Sequence, residues 1–190
     1  MEGRKPPEFG IELSADRQNV KEVVKGIMHT IFFHRLFTPL EPANYDVLDV
    51  TVPYVDDKEL IQLLETRSTT LLRALDSGST TLSPQYNPKS SGAARSTLVI
   101  QFLERKRRKG WFISKADEET IWESWILEVN LTSARSEPEA EWNRRVMENS
   151  LQDAVMKVIT TANKEKNHIP PITTNDSNAF PYQILVNPKA

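Results

Sequence analysis

The chain has 190 residues, 38% of them hydrophobic and 26% charged, and a formal net charge of −2. That size and balance fit one globular domain, residues 1–190, with a core of its own, and they argue against a dedicated nucleic-acid binder, which carries a broad basic face. The absence of cysteine excludes disulfides, zinc–thiolate sites and thiol catalysis, and no secretory-type apolar stretch lies between Met1 and Gly10, so a cytosolic or nuclear location is expected.

Phe9, Ile11 and Leu13 alternate with polar or small residues and predict a short first strand. Val20, Val23, Val24, Ile27, Met28, Ile31 and Phe32 follow the i, i+3, i+4 rhythm of an amphipathic helix, with Asp16 as its expected N-cap and Pro39 and Pro42 ending it. Tyr45 to Val55 is β-branched and aromatic, and reads as one extended segment that Pro53 confines to an edge. Asp56-Asp57-Lys58-Glu59 has capping-box spacing and opens a second helix, with Leu60, Leu63, Leu64, Leu71, Ala74 and Leu75 on one face and a stop near Gly78. Ser77 to Gly92, rich in Ser, Thr, Pro and Gly, reads as a long mobile loop.

Leu98, Ile100 and Phe102, then Trp125, Leu127, Val129 and Leu131, mark two further strands. Ser136-Glu137-Pro138-Glu139 starts a third helix with the stripe Met147, Leu151, Ala154, Val155, Val158 and Ile159. His168 to Pro171 breaks the chain, and Phe180, Tyr182, Ile184 and Val186 suggest a last strand. The order predicts an α+β fold: a central antiparallel sheet backed by three helices.

Nothing in this pattern announces catalysis or a cofactor. Glycine-rich phosphate loops and the G-x-S-x-G elbow are missing. His29 and His34 lie five residues apart, about 140° around a helix, so a shared metal is not expected and both read as packed histidines.

The unusual stretch is Arg105-Lys106-Arg107-Arg108-Lys109, followed by Gly110, Trp111 and Phe112. Five consecutive cations cannot be buried together, so the run should project into water between two strands. Residue chemistry leaves four readings open. The rings tuck back onto the domain; they anchor a partner; the loop docks on anionic lipid; or the cations serve nuclear import or nucleic acid.

Basic run, Trp111-Phe112, the acidic Asp117-Glu118-Glu119 and then Trp122-Glu123-Ser124-Trp125 resemble the centre of the autophagy-related protein 101 family. Met28-His29-Thr30-Ile31-Phe32-Phe33-His34-Arg35 is similar to that family's first helix, and the third helix followed by His168-Ile169-Pro170-Pro171 and a Pro181-Tyr182 strand keeps the same order. The resemblance implies a HORMA fold with a mobile C-terminal segment, and a non-catalytic adaptor without cofactors. It implies pairing with the HORMA domain of autophagy-related protein 13, service to the autophagy-initiation kinase complex, and localisation at the phagophore assembly site. Trp111 and Phe112 then become the WF finger that recruits downstream factors, which favours the exposed-anchor reading. The alternatives are a peripheral membrane module using the basic loop and a checkpoint-type HORMA adaptor that traps a peptide. By the same analogy the third helix lies at the heterodimer interface, through Asn143, Arg144, Glu148 and Gln152. The chain departs from the family in having Trp111 and Phe112 adjacent, where other members place a proline between the two rings.

Overall fold

A computed structural model describes residues 5–39, 41–77, 94–106, 118–172 and 179–188. Along the chain run β1 (Glu8–Asp16), α1 (Val20–Arg35), β2 (Ala43–Val47), β3 (Val50–Tyr54), α2 (Lys58–Asp76), β4 (Arg95–Lys106), β5 (Glu118–Thr132), α3 (Glu137–Lys164) and β6 (Tyr182–Val186). Four strands form one sheet in the order β1-β5-β4-β6, and β2 and β3 form a separate hairpin. The alternation foreseen in the strands sorts side chains by face. Ile11, Leu13, Leu98, Ile100, Phe102, Trp125, Leu127, Val129 and Ile184 are buried beneath the helices. Residues of the opposite parity, such as Glu12, Gln101 and Glu128, are at least partly exposed on the open face. The apolar stripe of α1 is buried along its whole length.

The sheet is mixed, not antiparallel as expected. β4 pairs antiparallel with β5 and with β6, but β1 runs parallel to β5. A parallel pair needs a long crossover, and the chain between β1 and β5 contains both α1 and α2. The segment 45–55 also differs from expectation: it folds back on itself as the β2–β3 hairpin, with Pro53 opposite Asn44. Its turn contains Leu48 at φ 53°, a backbone conformation that non-glycine residues adopt only when their surroundings hold them there; the Leu48 side chain packs against the core. Asp16 does not cap α1. Its carboxylate accepts from the amides of Gln18 and Asn19 (2.9 and 2.8 Å) and shapes the turn that precedes the helix, whose N-cap is Asn19. Asp57 caps α2 through Leu60 N (2.7 Å).

The register between β4 and β5 shifts after the Phe102–Glu123 pair, so that Leu103 faces Ile121 and Trp122 is the extra residue of a bulge. The bulge lets two consecutive side chains, Trp122 and Glu123, enter the interior. Trp122 packs on Phe102, Phe180 and His168. Glu123 is fully buried, and both its oxygens accept from Arg35 Nε (2.8 and 2.9 Å). The carboxylate also accepts from Trp125 Nε1 and lies 2.7 Å from His168 Nε2. The remaining nitrogens of Arg35 donate to the carbonyls of Ala162 (3.1 Å) and Glu165 (3.0 Å). These belong to the C-terminal end of α3, where carbonyls lack intrahelical donors. One ion pair therefore ties α1, α3, β5 and the segment after α3 together.

Removing one member of such a pair leaves an uncompensated buried charge. Glu123→Gln is expected to destabilise the fold by about 3–5 kcal/mol in urea unfolding, whereas Arg17→Ala, which breaks the exposed Arg17–Asp76 pair, should leave the unfolding midpoint almost unchanged.

Of the two helical histidines, His34 is half-buried beside the ring of Phe33. His29 is buried against Tyr54 and Tyr45, and its Nδ1 accepts from Val55 N (3.4 Å). Burial, reinforced by nearby Lys25, pushes its pKa down to about 4. The unfolded chain therefore binds a proton on this residue that the folded chain refuses. Its stabilising contribution is complete above the ordinary histidine pKa of about 6.5 and is lost as pH falls towards 4. Urea midpoints measured from pH 7 to 4 should fall over that window, and His29→Gln should flatten the decline.

Candidate functional site

α3 begins where the sequence placed it. The Ser136 hydroxyl accepts from Glu139 N, and the Glu139 carboxylate accepts from Arg135 N (2.8 Å). Its inner stripe is Met147, Leu151, Ala154, Val155, Val158 and Ala162, and none of the residues from Glu137 to Val146 is buried. The first turns of the helix thus overhang the core.

At 100° per residue, Trp142 and Met156 both fall on the side opposite that stripe, about 21 Å apart along the axis. Trp142 is 67% exposed and Met156 55% exposed. Arg145, Asn149, Gln152 and Asp153 lie between them and are exposed. The cations near Trp142 are engaged with carboxylates of their own helix: Arg145 with Glu141 (2.6 Å) and Arg144 with Glu148 (2.9 Å). A large ring is thereby presented bare between charges that already have partners. Tryptophan is among the residues enriched at the energetic centres of protein interfaces.

The four residues expected at an interface divide between two flanks. Arg144, Glu148 and Gln152 form an i, i+4, i+8 row. Asn143 lies on the other flank, half-buried, with its amide donating to Ser133 O (3.1 Å). Trp142 sits outward between the flanks. Sequence reasoning did not single it out, although the signal was available: it is out of phase with the Met147-Leu151-Val155 stripe.

Of the basic run, Arg105 lies inside β4 and is exposed, with its guanidinium paired to Glu119 on β5 (2.9 Å). Lys106 is the last residue of β4, in register with Glu118. The strands are thus longer than expected and take in the first two cations. Arg107, Arg108, Lys109, Trp111 and Phe112 lie outside the described residues.

Glu123 and His168 form a carboxylate–imidazole pair of the kind that serves acid–base chemistry. Here the carboxylate is sealed from solvent and its lone pairs are occupied by Arg35, Trp125 and His168, so the pair is structural. Among the described residues no group of three or more His, Asp or Glu side chains is placed to hold a metal ion, and no helix is long and apolar enough to cross a membrane.

Sequence comparison shows which proteins this chain is similar to. The chain is 29% identical over 178 residues to autophagy-related protein 101 of Schizosaccharomyces pombe, an alignment covering 92% of this chain and 84% of that protein. The protein of the same name from Arabidopsis thaliana is 24% identical over 196 residues, with the same coverage of both chains. That from Xenopus tropicalis is 25% identical over 169 residues, covering 86% of this chain and 75% of the relative. The family model for autophagy-related protein 101 matches residues 12–176, and the chain belongs to that family.

Proposed function

We propose that this protein is a non-catalytic adaptor of the autophagy-initiation kinase complex, acting in the cytoplasm and at the phagophore assembly site. Residues 1–190 form one HORMA domain that pairs with the HORMA domain of autophagy-related protein 13. The observation that carries this reading is Trp142, exposed on the outer face of α3 in a chain of this family. Pairing through that face covers Trp142 and Met156 and engages the Arg144, Glu148 and Gln152 row beside them, with Asn143 on the far flank. An interface of standard size, about 1,600 Å² in total, is expected. Trp111 and Phe112 act separately, as a finger that recruits downstream factors.

Trp142→Ala should leave the unfolding midpoint almost unchanged, because the ring covers little of the core, but weaken pairing by about 30-fold or more, the loss of a hot spot worth at least about 2 kcal/mol. Calorimetric titration with the partner HORMA domain reads this directly. Undiminished affinity would remove α3 from the interface.

Replacing Trp111 and Phe112 together by Ala should preserve pairing and reduce autophagosome formation in starved cells. Normal autophagosome numbers with that double variant would refute the finger. Liposome flotation separates a lipid-binding loop from a protein-binding one: salt-sensitive flotation on anionic vesicles would contradict the recruitment reading.

A further inference from the structure

The outer edge of β1 is an open backbone surface. Pro7 O accepts from Ser124 N on β5 (3.0 Å), so odd-numbered residues of this strand direct their peptide groups into the sheet and even-numbered residues direct theirs outward. Ser14 confirms the phase: its amide donates to Ser150 Oγ of α3 (3.3 Å), and its carbonyl oxygen lies 3.2 Å from the same hydroxyl. α3 thus closes the edge at Ser14. The outward peptide groups of Glu8, Gly10 and Glu12 have no hydrogen-bond partner among the described residues, and all three residues are exposed.

Unpaired edges of this length invite a further strand, and the side chains restrict which one. Glu8 and Glu12 project from the open face of the sheet on either side of Gly10, where an added Cβ would meet nothing within 4 Å. Glu12 stands beside Glu128 of β5; Glu128 is paired with Arg95, and Glu8 with Lys5 in an exposed contact of 3.4 Å. A second copy of this chain is a poor occupant. Antiparallel pairing of two β1 strands about Gly10 would set Glu8 against Glu12 twice, and like charges directly opposed in a sheet repel. A guest with cations at those two positions gains what a copy would lose. A large side chain between them would lie over the space left by Gly10, and the guest's other face would meet half-buried Phe9.

We propose that the Glu8–Glu12 edge of β1 accepts an extended segment of a partner protein as a fifth strand, with the pattern cation, apolar, large ring, apolar, cation. The site lies on the sheet edge and does not depend on the docking of α3.

The probe is the capped heptapeptide Thr-Lys-Val-Tyr-Val-Lys-Thr, titrated into the isotope-labelled full chain and followed by amide NMR. Shifts should centre on Glu8, Gly10 and Glu12 and weaken as salt rises. Replacing both lysines of the peptide by glutamate should weaken binding by about tenfold or more, and so should Gly10→Pro, which removes the central outward N–H. The Glu8→Lys/Glu12→Lys variant should reverse the preference and bind the glutamate peptide better; it tests the proposal even if Gly10→Pro impairs folding. Absence of shifts, shifts centred elsewhere, an unreversed preference, or concentration-dependent β1 shifts without peptide, which would indicate self-pairing, would each overturn it.

Discussion

The arrangement of this molecule turns on one buried ion pair. Arg35 closes α1, and its guanidinium does two things at once. It meets the carboxylate of Glu123 on β5 and donates to the Ala162 and Glu165 carbonyls at the end of α3. A cation at the ends of two helices is favoured by both helix dipoles, and Glu123 supplies the compensating charge that makes its burial tolerable. The β5 bulge at Trp122 is what delivers Glu123 to that position, and His168 fastens the segment leaving α3 to the same carboxylate. Replaced by apolar residues of similar size, such a pair can be equalled in stability. What apolar contacts would not supply is its directional hold on the axis and end-point of α3.

That hold matters because α3 carries the surface proposed for pairing. It runs from Glu137 to Lys164, roughly 42 Å at helical rise, and only its inner stripe contributes to the core. A long helix fixed at its C-terminal end by a charge network, and along its middle by Met147, Leu151 and Val155, presents its opposite side as a rigid ridge. Trp142 stands on a helix, so little backbone entropy remains to be lost there on contact, which is the economy of a preorganised surface. The β1 edge is a different kind of surface, made of peptide groups and two carboxylates.

Much of this was legible in the residues. The stripe of α1, the Ser136 cap and the strand alternation in β4 and β5 are local signals that the structure keeps, whereas the cap expected at Asp16 falls to Asn19 and the capping-box spacing from Asp56 gives way to a cap one residue later, at Asp57. What escaped was non-local or lacked its usual marker. The parallel pairing of β1 with β5 depends on where the chain returns after two helices. The β2–β3 hairpin carries Leu48 where a turn of positive φ ordinarily has glycine or asparagine, so the residues hid the reversal. Glu123 shared the inward parity of Trp125, Leu127 and Val129, a sign of a buried carboxylate that went unread. Trp142 was readable by the same kind of phase argument on α3, while the split of Asn143 from Arg144, Glu148 and Gln152 required the helix to be seen seated on its core.

We propose that the outer face of α3 is where the partner HORMA domain binds. Hydroxyl-radical footprinting reads it directly, because Trp142 and Met156 are both readily oxidised side chains and both stand in solvent in the isolated chain. Oxidation of both residues should drop sharply when the HORMA domain of autophagy-related protein 13 is added in excess, while exposed Ile172 stays as reactive as before. Unchanged oxidation of Trp142 and Met156 in a complex shown by light scattering to have formed would contradict the account.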